Sequence, residues 1–122
     1  MSILNRPYEI SVWDDVLGVD GKFTEKRLGI IGSDKMLSQS RALKPQLGRN
    51  VNGTKSFQFE MYRFYVDNIT GERVENPFIG WLISERKVKL HYKGKWHDFI
   101  IKDIAENSAT HLYTYKLEDA FV

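Results

Sequence analysis

The chain has 122 residues, 42% hydrophobic and 28% charged, with a formal net charge of +2. That length suits one domain, residues 1–122, whose core needs no disulfide or metal, and the absence of cysteine excludes a disulfide framework, a thiolate nucleophile and a cysteine zinc site. The small charge falls short of a nucleic-acid footprint, and no stretch nears the roughly 20 apolar residues of a membrane span, so the expected partners are neither nucleic acid nor a membrane and synthesis is expected in the cytosol.

Aromatic residues make up 13% of the chain and gather in strand-like stretches, which favours β structure. Residues 8–13 (YEISVW) alternate, with Tyr8, Ile10 and Val12 on one face. Asp14-Asp15 and then Gly18 to Gly21 read as a turn region. A second strand is expected over 23–31, with Leu28 and Ile30 on one face; Gly29 and Gly32 mark a bulge or a close approach of another backbone. From 33 to 54 the pattern fails, leaving a long loop of functional or assembly type with room for a short helix over 37–43. Asn52-Gly53 reads as a tight turn into the next strand.

Residues 56–67 (SFQFEMYRFYVD) place Phe57, Phe59 and Met61 on one face, then Tyr62, Phe64 and Val66 one residue out of phase. Either a bulge sits near Met61 or both faces are covered there. A polar connection, 68–76, leads to PFIGWLISE, where Asn76 suits an N-cap, Pro77 the first helical position, and Phe78, Trp81 and Leu82 fall at helical spacing. A short helix is expected. Residues 112–117 (LYTYKL) alternate again and close the chain as a strand.

Between them, 85–104 (ERKVKLHYKGKWHDFIIKDI) reads as a hairpin turning at Lys93-Gly94. If Tyr92 faces Lys95, then Leu90 meets His97 and Val88 meets Phe99 on one face. On the other face Glu85 meets Lys102, Lys89 meets Asp98 and His91 meets Trp96. A one-residue slip would undo both patterns. Strands outnumber helices and no βαβ repeat occurs, so the expected fold is mainly β: an antiparallel small barrel or sandwich with one short helix.

No catalytic or metal signature survives inspection. His91 and His97 point to opposite faces, and His111 lacks ligand spacing. Asp14 with Asp15, and Asp103 with Glu106, lack the convergence that acid–base work needs. GxSxG, GxGxxG and P-loop motifs are absent. No enzyme and no cofactor are therefore expected. Lys87, Lys89, Lys93 and Lys95 with Trp96 form a basic, aromatic surface of the type that holds single strands. Glu85 and Asp98 interrupt it, and lysines also guard sheet edges. The sequons at Asn52 and Asn68 are read as chance matches.

The order of features from Asn50 (NVNGTKSFQFEMY, then NPFIGWLISERKVKLHYKGKWHDFIIKDIAE and LYTYKLEDAFV) resembles the N-terminal domain of tail-hub or tail-associated lysin proteins of long-tailed bacteriophages and prophages. The resemblance covers most of the chain and is strongest over 50–122. It implies a non-enzymatic structural domain of a tail tip or baseplate hub, located in the virion tail. It also implies a ring, usually a trimer, docked on a distal tail protein, with enzymatic or receptor-binding domains further along the chain. LEDAFV reads as a strand cut before its continuation. Under this reading Trp96 and Ile100, with Lys87 and Lys89, form one interface surface, and Arg41, Lys44 and Arg49 of the 33–54 loop form another. The alternative is a barrel binding single-stranded nucleic acid or carbohydrate.

Overall fold

Period-two alternation becomes ten β-strands in the computed structural model, which describes residues 2–120, with side chains from residue 4. They are β1 (Ser2–Ile3), β2 (Tyr8–Leu17), β3 (Phe23–Ser33), β4 (Leu43–Arg49), β5 (Lys55–Tyr62), β6 (Phe64–Val66), β7 (Arg73–Glu75), β8 (Lys87–Tyr92), β9 (Lys95–Asn107) and β10 (Leu112–Asp119). Eight of them form one antiparallel sheet in the order β1-β4-β5-β10-β9-β8-β2-β3, while β6 and β7 make a separate ribbon. Phe121 and Val122, the end of the expected closing segment, lie outside the described residues.

The β8–β9 hairpin has the expected register, from Tyr92 opposite Lys95 to Val88 opposite Phe99. Lys93 and Gly94 both take positive φ, 53° and 73°, as a primed two-residue turn requires. Its inward residues join those of the other strands in one core. Phe57 stacks on Phe99 at 5.3 Å and Phe59 on Tyr115 at 5.2 Å, with Ile10, Leu90 and Leu117 buried around them. The sheet curls to cover this core but its ladder does not close. Its two sides touch where the Ala42 N–H donates to the Ile31 carbonyl at 2.8 Å. A Cβ at Gly32 would lie 2.9 Å from that of Ala42, so the approach needs glycine.

Several expectations change here. In β3 the ladder with β2 skips a residue twice, once at Ile31 and once at Leu28, beside the two glycines. The skips turn Ile31, not Ile30, into the fully buried residue. Asp14 and Asp15 belong to β2 rather than to a turn; the turn is Gly18 to Lys22, closed by Gly18 N–H to the Lys22 carbonyl at 2.8 Å. The 33–54 stretch contains β4, hidden because the register with β5 breaks between Leu43 and Gln46, where Lys44 takes φ 49° and Pro45 offers no N–H. No helix forms over 37–43. Two tight turns do the work instead, with Arg41 N–H donating to the Ser38 carbonyl and Ser38 sharing a 2.6 Å hydrogen bond with Ser40.

The phase change after Met61 is a strand end. The β5–β10 ladder stops at Tyr62 opposite Leu112, and the chain enters the β6–β7 ribbon, whose second strand lies inside the expected polar connection. The expected helix after Pro77 shrinks to a 3₁₀ turn, Ile79–Trp81. Its N-cap is Phe78 rather than Asn76, and Asn76 acts one step earlier, its Oδ1 accepting from the Phe78 N–H at 2.9 Å.

Candidate assembly surface

On the outward side of β3, β2, β8 and β9, alternation places Trp13, Lys87, Lys89, His91, Trp96 and Ile100 together. The lysines are engaged there. Lys89 Nζ reaches Glu25 of β3 at 2.8 Å and lies 4.5 Å over the Trp13 ring, while Lys87 meets Asp15 at 3.3 Å. The cross-strand neighbour Asp98 is thus not the partner Lys89 takes. Lys102 does meet Glu85, at 3.1 Å, as the hairpin register predicts. Trp13 Nε1 donates to Ser11 Oγ at 2.8 Å, so its polar edge is satisfied under the lysine. Trp13 carries this arrangement, and its place opposite Lys87 on β2 was the signal that could have revealed it.

Trp96 is 53% exposed, its ring 4.7 Å from that of His91. Ile100 is half-buried and lines a groove of about 400 Å³ with Trp13, Ile83 and Arg86. A second groove, about 460 Å³, runs beside His91 and the Lys93-Gly94 turn, between Tyr8, Glu9 and Asp34. The loop cations lie elsewhere. Arg41 is spent on the Ser38 carbonyl at 2.8 Å, Lys44 is exposed at the β4 irregularity, and Arg49 is exposed at the far end of β4. In the sheet, β5 and β10 separate β4 from β9. The candidate residues therefore fall into two regions, not one patch.

The strongest unanticipated feature is an arm. Strand β8 pairs with β2 only from Tyr8 to Trp13, so β2 beyond Asp14 and the facing start of β3 continue as a two-stranded projection. Its tip carries Leu17, Val19 and Phe23, with exposures of 60%, 112% and 70%. At its root Asp14 meets Arg86 at 3.9 Å and Asp15 meets Lys87. A glycine-flanked LGVDGKF with an apolar residue at each shoulder was the available clue.

Among the described residues no group of three or more histidine, cysteine or carboxylate side chains is arranged to hold a metal ion, and no helix is long and apolar enough to cross a membrane. His91 and His97 lie on opposite faces, as the register predicts. His97 is half-buried and accepts a hydrogen bond at Nδ1 from Lys55 Nζ, 2.9 Å away. An ammonium only donates, so the neutral ring carries its proton on Nε2. Burial, then Lys55 and Lys95, hold this imidazole below its ordinary range; Asp119 pulls the other way, and Arg49 adds the smallest push downward. The unfolded chain takes up a proton near pH 6.5 while the folded one resists until lower pH. Stability from this group is therefore complete above that pH and falls as pH drops below it. Urea midpoints taken at pH about 7.5 and about 5.5 should show the loss, and Lys55→Met should reduce it by removing one of the cations. An unchanged difference would mean that Lys55 does not act on His97.

Compared with family models, curated proteins and solved structures, the chain matches none.

Proposed function

We propose that this domain is a non-enzymatic assembly module, the structural hub component of a phage tail tip or baseplate, which joins further copies of itself in a ring and docks on a neighbouring tail protein. The observation that carries the reading is the β2–β3 arm, whose apolar tip is held away from the core that would otherwise cover it. Exposed apolar residues grouped at one projecting point mark contact surfaces more than chance exposure does. The resemblance of residues 50–122 to tail-hub N-terminal domains supplies the setting. Trp96 adds a second contact, and truncating a tryptophan at an interface centre costs on the order of 2 kcal/mol or more.

Sedimentation velocity over a range of concentrations tests this. The parent chain should associate, and Leu17→Ser with Phe23→Ser should weaken association by tenfold or more, which is about 1.4 kcal/mol. Thermal stability should stay within about 0.5 kcal/mol, because these side chains lie largely in solvent. Trp96→Ala should act in the same direction with the fold intact. A parent chain that remains monomeric at high concentration would remove the self-association part of the reading.

A further inference from the structure

Some cations on and beside this sheet meet an acid: Arg27 with Glu9, Arg86 with Asp14, Lys87 with Asp15, Lys89 with Glu25 and Lys102 with Glu85. At the end of the sheet that holds the β4–β5 and β8–β9 turns, cations instead stand beside one another. Arg49 and Lys55 stand directly opposite each other in the β4–β5 register. Like charges so placed oppose pairing. Lys95, at the start of β9, lies two residues before His97 on the same strand face. Among the described residues no ion pair takes up Arg49, Lys55 or Lys95. What orients the Lys55 ammonium is a neutral ring, at 2.9 Å, and that ring is itself fixed by packing along Phe99 with centroids 6.5 Å apart.

We propose that Arg49, Lys55 and Lys95, with His97 as the fixed acceptor that aims Lys55, form a binding site for a phosphate-type oxyanion. Three cations converging on one place suit a multiply charged anion better than a single carboxylate, and a bound anion relieves the Arg49–Lys55 repulsion that folding otherwise leaves in place. Facing His97 are Lys55 of β5, Arg49 of β4, Lys95 of its own strand and Asp119 of β10. An anion among these cations favours the imidazolium, so binding tightens as pH falls. A free phosphate and a nucleic-acid strand, whose successive singly charged phosphodiesters together supply several charges, present the same phosphate oxygens, and the test separates them.

The experiment follows the His97 imidazole and the Arg49, Lys55 and Lys95 side chains by NMR as sodium phosphate replaces sodium chloride at constant ionic strength. A saturable shift confined to these groups is expected, with the His97 titration moving to higher pH. Arg49→Gln, at an exposed strand end, should weaken it about tenfold per lost contact, and Lys55→Met should do the same while freeing His97 Nδ1. A short oligothymidylate that binds more tightly than phosphate, with affinity falling steeply in salt, identifies the strand as the source; phosphate binding without oligonucleotide binding identifies the free anion. Shifts that chloride reproduces, or that survive both substitutions, overturn the site.

Discussion

Phe59→Ala is expected to remove about 3–5 kcal/mol of stability, the range for deleting a fully buried aromatic and leaving a cavity. Phe59 has no solvent exposure, stacks on Tyr115 at 5.2 Å and tilts against Phe57 at 5.7 Å, and Phe57 in turn stacks on Phe99. This row runs across β5, β10 and β9, the middle of the sheet, so collapse of the cavity would require central strands to shift. Against a typical domain stability of about 5–15 kcal/mol, the loss is a large fraction of the whole. The fall in melting temperature should exceed about 10 °C at roughly 4 °C per kcal/mol. Phe23→Ala is the matched control. The same side chain at 70% exposure on the arm should cost within about 0.5 kcal/mol. Equal losses at the two positions would mean that the core row is misplaced.

The contrast between these phenylalanines shows what the sequence made legible. Where alternation was unbroken, in the β8–β9 hairpin, in β5 and in β10, residue faces could be read by counting, because a strand inverts its side chains at every step. Where one extra residue entered a strand, counting failed. The skips at Ile31 and Leu28 moved the buried position by one, and the irregularity at Lys44 and Pro45 concealed β4 inside an apparent loop. Fine placement of charge was less legible still. Lys89 chooses Glu25, across the intervening β2, over its register neighbour Asp98, a choice that depends on the Trp13 ring beneath it. The arm needed knowledge of where β8 begins, since exposure of Leu17 and Phe23 follows from a neighbour that is missing beyond Trp13.

Asn76→Ala should prove the most damaging alanine substitution outside the apolar core. Asn76 is 4% exposed and ties together three segments: the turns before β4, the end of β5 and the start of the 3₁₀ turn. Its Nδ2 donates to the Ser40 carbonyl at 3.0 Å, in the turns before β4, and to the Tyr62 carbonyl at 2.8 Å, where β5 ends. Its Oδ1 accepts from the Phe78 N–H and so sets the 3₁₀ turn that lays Trp81 over Gly29, where a Cβ would stand only 2.7 Å from the ring. Alanine leaves the two carbonyls without this donor and the amide without this acceptor, at roughly 1–3 kcal/mol for each group that stays unsatisfied. A loss of about 2–3 kcal/mol is expected. Asn76→Asp separates hydrogen bonding from shape. It keeps the volume and the acceptor for Phe78, yet turns a negatively charged oxygen toward two carbonyl oxygens, so at neutral pH it should be worse than alanine. Such a carboxyl has its folded pKa raised above the unfolded value of about 3.9, so its penalty should shrink on acidification toward that value, as the protonated acid regains one donor. Urea midpoints for the two variants at neutral and acidic pH decide the matter: an aspartate variant as stable as the parent at neutral pH would show that the Asn76 amide donates to nothing that matters.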